Sequence, residues 1–112
     1  MVLADRQAKF TKQINALTTV VNAMDGYRTR DADCYRDERC NYGHPRSLHK
    51  NRLARDILLD VYDNELKKWM YQTDSKAYEW IGTIWKMMDP LNIWGGEWGD
   101  GNHFSSKYRG MK

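Results

Sequence analysis

Three histidines supply all the imidazoles of this chain, and two of them lie near carboxylates. His49 precedes Asp56 by seven residues, and His103 follows Asp100 by three residues and Glu97 by six. Two imidazoles and one carboxylate are a suitable ligand set for Zn²⁺, which leaves a fourth position for water. A further carboxylate beside that water could act as a general base and then as a general acid. Spacing alone does not distinguish such a site from polar residues on a basic surface loop.

Hydrophobic periodicity predicts two helices. A stripe at helical spacing ends near Gly26 and consists of Leu3, Phe10, Ile14, Leu17, Val21 and Met24. A second helical pattern runs from about Ser75 to Met88, with Asp74 or Ser75 as its N-cap and Pro90 after its end. These two segments are expected to supply most of the helical packing surface.

Between the two predicted helices, one segment shows the alternation of apolar and polar residues that is typical of a β-strand. In the segment Leu53–Tyr62, one face carries Ile57, Leu59 and Val61, and Asp56 lies on the other face. The pattern predicts a strand, followed by a turn at Asp60, Asp63 and Asn64. The polar segment Tyr27–Ser47 is expected to be a long loop, with a helical turn near 32–39.

Composition limits the chain to one small domain. It has 112 residues, of which 41% are hydrophobic and 29% charged. We therefore expect a single domain over residues 1–112, of α+β class, with helices packed on a short antiparallel sheet that carries a metal site. No apolar run approaches the roughly 18 residues of a membrane span, and the charged segment Met1–Phe10 does not read as a secretory signal. Membrane insertion is not expected.

The net charge of +3 is too mild to indicate a dedicated nucleic-acid binder, which usually shows a concentrated basic stripe. Two cysteines, Cys34 and Cys40, are too few for a disulfide scaffold, so reduced thiols are expected. A structural metal site built from Cys34, Cys40 and His44 matches none of the common zinc-binding spacings.

The segment Ser47–Asp56, read as SLHKNRLARD, resembles a zinc peptidase motif, S-x-H-x-x-G-x-A-x-D. Ser47, His49, Ala54 and Asp56 match it position for position, and Arg52 stands where the motif has glycine. The family comprises D-alanyl-D-alanine carboxypeptidases and dipeptidases, together with the L-alanyl-D-glutamate endopeptidases that phages use as endolysins.

Two further segments resemble signatures of the same family. The sequence WGGEWGDGNHFS, which starts at Trp94, is similar to a W-G-G segment leading into an acidic-x-x-H-F/W element. Upstream, Tyr27, Arg28 and Thr29 resemble the family's Y-R-T/S element. The three matches occur in the family's order and together cover about residues 27–110.

The resemblance implies a role for each matched residue. His49, Asp56 and His103 would be the zinc ligands, Asp100 the catalytic acid/base, and Arg28 a residue that orients or polarises the substrate. Glu97 stays open as the alternative acid/base. Three more residues are expected to contact substrate, namely Ser47, Trp94 and Trp98. For the two tryptophans, plain packing stays open beside a place in the groove wall.

The function implied is that of a zinc-dependent peptidoglycan hydrolase that cleaves a stem-peptide amide, L-Ala–D-Glu in the first instance. A D-Ala-D-Ala carboxypeptidase or dipeptidase, a non-catalytic cell-wall-binding domain of the same fold, and a basic nucleic-acid adaptor are the alternatives. We expect a monomer that binds the stem peptide and no nucleic acid. As a phage lysis enzyme without a signal peptide, it would stay in the host cytoplasm before release to the wall, or would travel in the virion.

Overall fold

The computed structural model describes residues 2–32 and 53–108, and within these ranges the chain is an α+β domain, as predicted. Two helices pack on an antiparallel sheet. The helices are α1 (Leu3–Asn22) and α2 (Glu79–Met88), and the strands are β1 (Tyr27–Asp31), β2 (Ala54–Asp63), β3 (Lys68–Tyr71), β4 (Asn92–Trp94) and β5 (His103–Ser106). Two short 3-10 helices, Ser75–Tyr78 and Gly95–Trp98, precede α2 and follow β4.

The predicted apolar stripe of α1 is confirmed. Its buried residues are Phe10, Ile14, Leu17 and Val21, which share one face because they are spaced by three or four residues. Met24 lies beyond the last helical residue and is exposed. Gly26 then turns the chain into β1 with a φ of +83°, a conformation that glycine adopts without steric cost.

Strand β2 is the centre of the sheet. It pairs with β1 along one edge, and along its other edge it pairs first with β5 and then with β3. Strand β4 extends the sheet beyond β5. All of these pairs are antiparallel, so directly opposite residues share a face of the sheet.

The two faces of β2 have different environments. Ile57 and Leu59 are buried toward the helices, as the alternation predicted. Phe104 of β5 lies on the same face and meets the ring of Trp85 of α2 edge to face, with 6.3 Å between ring centroids. Phe10 of α1 meets the same Trp85 ring at 5.7 Å. Asp56 and Asp60 belong to the opposite face, which we call the open face.

Two expectations about local structure were wrong. Residues Tyr27–Asp31 form a strand and not a loop, because they pair in register with Ile57–Val61 of β2. Asp60 lies inside β2 and not in a turn. The second helical segment was predicted correctly: it begins at Ser75 as a 3-10 helix, which Asp74 caps by accepting a hydrogen bond from the Lys76 N–H, and it continues as the α-helix Glu79–Met88.

No helix among the described residues is both long and apolar enough to cross a membrane. The expected helical turn near residues 32–39, and the cysteines, lie outside the described residues.

Asp89, a buried carboxylate at the end of α2, connects this helix to α1 through hydrogen bonds. Asp89 accepts hydrogen bonds from Lys9, Gln13 and the Leu91 N–H at 2.7–3.1 Å. Burial alone would raise the pKa of Asp89, but these donors outweigh it and lower the pKa from 3.8 to about 2. The ionised form is therefore stabilised in the folded chain.

We predict that Asp89→Asn lowers the free energy of unfolding at pH 7 by about 2 kcal/mol. Because the folded pKa is depressed, the contribution is complete above the unfolded pKa of 3.8 and is lost as the pH falls toward about 2. Urea denaturation from pH 7 downward should therefore show the wild-type and variant curves converging below pH 4. Glu65→Gln, at an exposed turn, is the control. A difference that does not depend on pH would contradict the prediction.

Candidate metal centre

Asp56 and His103 face each other across two neighbouring strands. They are direct partners in the β2–β5 register, so both side chains lie on the open face. His103 Nδ1 lies 3.4 Å from Asp56 Oδ1. The imidazole is buried, with 6% of its residue surface exposed, and Asp56 is partly buried.

The outward direction of Asp56 follows from its neighbours in sequence. Ile57 and Leu59 must face the helices to be buried, and side chains alternate along a strand. A shift of one residue in the β2–β5 register would move Asp56 to the apolar side. Burial of two hydrophobic residues thus fixes the position of a polar one.

Asp100 reaches the same place from the turn before β5. Gly99 adopts a φ of +85°, and the Asp100 N–H donates to the Gly95 carbonyl at 2.9 Å. The His103 N–H in turn donates to the Asp100 carbonyl at 3.1 Å. Asp56, Asp100 and His103 each offer one ligand atom, and these atoms lie within 4.8 Å of one another.

The glycine-rich segment holds this turn by close packing. A Cβ on Gly95 would lie 2.2 Å from the Asp100 carbonyl oxygen and 2.6 Å from His103 Cβ. A Cβ on Gly101 would lie 2.6 Å from the Cα of Ser75, whose hydroxyl accepts a hydrogen bond from the Gly101 N–H. Glycine is required at both positions because backbone from two segments meets there.

Trp94 supports the same turn from the face of the sheet that packs against the helices. Its ring is buried against Gly82 and Gly96, and its indole N–H donates to the Gly101 carbonyl at 2.7 Å. Trp94 thereby connects α2 to the turn that carries Asp100. A contact between Trp94 and substrate stays a prediction.

Trp98 and Glu97 occupy different surroundings. Trp98 is 44% exposed, and its ring centroid lies 5.5 Å from that of His103. Glu97 pairs with Lys86 at 2.9 Å and is not part of the three-residue group. Asp100, and not Glu97, therefore lies with Asp56 and His103.

Arg28 lies farther along the open face. Its Nε donates to Asp60 Oδ2 at 2.8 Å, and Asp60 follows Asp56 by four residues on β2. Four residues of strand correspond to about 13 Å. The structure thus brings Asp56, Asp100 and His103 together and places Arg28 on the same face at a distance, while His49 and Ser47 lie outside the described residues.

Two residues near Arg28 were missed by the sequence analysis. Asp60 is buried on the open face, and Arg30 binds it through Nε and a terminal nitrogen. Asp60 was predicted to lie in a turn because Asp63 and Asn64 follow it, and Arg30 lies in the polar segment that was predicted to be a loop. Alternation along β2 would have placed Asp60 on the face of Asp56, but pairing with β1 is not visible in the sequence.

The donor set fits Zn²⁺. Two ligand atoms bound to a tetrahedral zinc lie roughly 3.3–3.6 Å apart, given bond lengths of about 2.0–2.2 Å. The 3.4 Å separation of His103 Nδ1 and Asp56 Oδ1 falls within that range. One imidazole and two carboxylates are also acceptable to other divalent transition metals, so the chemistry of the group does not select zinc.

Neither a scan against protein-family models nor a search of curated protein sequences gave a match to this chain. Any functional conclusion must therefore rest on the residues and their arrangement.

We predict that the full chain binds one Zn²⁺ and that Asp56→Asn or His103→Ala lowers its affinity by at least about 100-fold, because each removes a direct ligand. Titration calorimetry with Zn²⁺ measures this. Glu97→Gln, which removes an equal charge nearby, should bind Zn²⁺ as the unmodified chain does. If the unmodified chain and the three variants bound Zn²⁺ with equal affinity, Asp56 and His103 would form only an ion pair.

We also predict that Gly95→Ala weakens both folding and metal binding, because the new methyl group would displace Asp100 and His103. Thermal unfolding and zinc titration test the two effects separately. An unchanged melting temperature with unchanged zinc affinity would show that the close packing at Gly95 is unimportant.

Proposed function

We propose that this chain is a zinc-dependent peptidase that hydrolyses an amide bond in the peptidoglycan stem peptide, with L-Ala–D-Glu as the bond cleaved. The observation that carries the proposal is the convergence of Asp56, His103 and Asp100 on the open face. The same three residues occupy ligand and acid/base positions in the motifs that resemble the zinc peptidase family.

The ligands of the metal would be Asp56 and His103, with His49 as the third according to the resemblance. Zn²⁺, when bound, supplies a Lewis acid that polarises a carbonyl and acidifies water. Burial of His103 restricts the orientation of its imidazole, and Asp56 lies beside it across the strand pair. These two residues would thus define where the scissile carbonyl must lie.

Asp100 would perform the proton transfers. It would take a proton from the attacking water and return it to the departing amine, which leaves the carboxylate ready for another cycle. Its backbone is held by hydrogen bonds to Gly95 and His103, so the carboxylate is presented from a fixed turn. Asp100 is exposed, which lets a substrate approach it.

The groove would run along the open face. Trp98, next to His103, offers an exposed aromatic face at one end, and the arginines on Asp60 offer positive charge farther along. An extended peptide lying over β2 would contact both. This combination suits an anionic peptide better than it suits nucleic acid, because the chain's net charge is only +3.

We predict that Asp100→Asn lowers kcat for stem-peptide hydrolysis by about 10²–10⁴-fold, because it removes the proton acceptor. Zinc should stay bound, since the three proposed ligands Asp56, His103 and His49 are untouched. Glu97→Gln is the matched control and should keep its activity. Mass spectrometry of digested muropeptides would identify the bond, and elemental analysis would confirm the metal content.

Three outcomes would contradict the proposal. Folded, zinc-loaded protein that leaves walls of several bacteria intact would indicate a binding domain. Release of terminal D-Ala alone would identify a carboxypeptidase. Activity lost in Glu97→Gln and kept in Asp100→Asn would reassign the acid/base.

A further inference from the structure

Asp60 is a buried carboxylate on the same face of the sheet as Asp56. Only 2% of its surface is exposed, because Arg28 and Arg30 of β1 cover it. The hydrogen bonds from Arg30, followed by those from Arg28, lower the pKa of Asp60 in spite of its burial. Asp60 is therefore a fixed anion that anchors two guanidinium groups.

The anchor neutralises only one of the two positive charges. Asp60 accepts three hydrogen bonds from the pair, whereas two guanidinium groups carry about ten N–H donors. The side chains of Arg28 and Arg30 are 45% and 48% exposed. The group formed by Asp60, Arg28 and Arg30 thus carries one surplus positive charge with accessible donors.

Aromatic rings hold the guanidinium groups in place. The Arg28 guanidinium lies 4.4 Å from the centroid of a Trp69 ring, and that of Arg30 lies 5.4 Å from the Tyr71 ring. Both rings belong to β3, on the edge of β2 opposite to β1. Preorganised guanidinium groups lose less freedom on binding an anion, and their planar shape suits a carboxylate.

A cavity lies next to Trp69, the residue whose ring Arg28 contacts. Its volume is about 220 Å³, and its lining consists of Trp69, Tyr62, Asn64, Gly26 and Asp25. Asp56, Asp60 and Tyr62 are separated by even numbers of residues along β2, so their side chains lie on one face. The cavity at Tyr62 is therefore farther from the metal centre than Asp60 is, on the same face.

The distance between the metal centre and the arginines determines which carboxylate of a bound substrate can contact Arg28 and Arg30. Asp56 and Asp60 are about 13 Å apart along β2. In an extended stem peptide cut between its first and second residues, the side-chain end of the third residue lies roughly 10–15 Å from the scissile carbonyl. The carboxylate on the second residue is too close to the cleaved bond to span this distance.

We propose that Arg28 and Arg30, anchored on Asp60, bind the side-chain carboxylate of the third stem-peptide residue, so that the enzyme prefers peptides with diaminopimelate to peptides with lysine there. This inference rests on the proposed function. Arg28, which the resemblance assigns to orienting the substrate, acts here together with a residue that lies outside the matched motifs. Arg30 is a specificity-determining residue.

The test uses the full zinc-loaded chain and two synthetic peptides, L-Ala-γ-D-Glu-X-amide, in which X is meso-diaminopimelate or L-lysine. The peptides differ by one carboxylate. We expect kcat/KM to be about tenfold or more higher for the diaminopimelate peptide, as is typical of a charge-assisted hydrogen-bonded contact. A ratio near one for the unmodified chain overturns the proposal and needs no variant.

Variants assign the preference to Arg30. Arg30→Gln should reduce the ratio to near one, and Arg30→Lys should restore part of it. Lys12→Gln removes the same charge from the exposed surface of α1 and should leave the ratio unchanged. A purely structural role of Arg30 would lower kcat/KM equally for both peptides and so preserve the ratio.

Binding without turnover separates the inference from the proposed function. Calorimetry of both peptides with zinc-loaded Asp100→Asn should show the same preference. Equal affinities overturn the carboxylate site. A preference in binding, with no cleavage by the unmodified chain, supports the carboxylate site and overturns the proposed hydrolysis alone.

Discussion

The antiparallel register between β2 and β5 is the constraint on which the candidate site depends. It sets Asp56 directly opposite His103 and holds their side-chain atoms 3.4 Å apart. Hydrophobic burial on the other face enforces this register, because Ile57 and Phe104 belong to the core. The polar site and the apolar core are thus two sides of the same strand pairing.

The turn before β5 adds the third member of the group through backbone contacts. Gly95, Gly99 and Gly101 permit a path that residues with a Cβ would obstruct or strain. Trp94 is buried between α2 and this turn. Its ring packs on Gly82 of α2, and its indole N–H donates to the carbonyl of Gly101, next to Asp100. Trp94, for which both packing and substrate contact were left open, therefore has a packing role.

Much of this arrangement could be predicted from the sequence, and the exceptions have physical reasons. Periodicity was sufficient for α1 and for β2, because each buries a regular apolar face. It failed for β1, in which Arg28, Thr29 and Arg30 form no apolar pattern and only pairing with β2 makes the segment a strand. The ion pairs of Asp60 were missed for the same reason, since a cross-strand partner cannot be read from one segment. Asp56, Asp100 and His103 could be selected because the resemblance named them, while the position of His49 lies outside the described residues.

X-ray absorption at the zinc edge of the full, zinc-loaded chain tests the central claim most directly. The account predicts about four nitrogen or oxygen neighbours at about 2.0–2.2 Å, with the multiple-scattering signature of imidazole, and loss of that spectrum in His103→Ala. Sulfur neighbours at about 2.3 Å would place the metal on the cysteines and contradict the account. So would a protein that retains no zinc after removal of the excess.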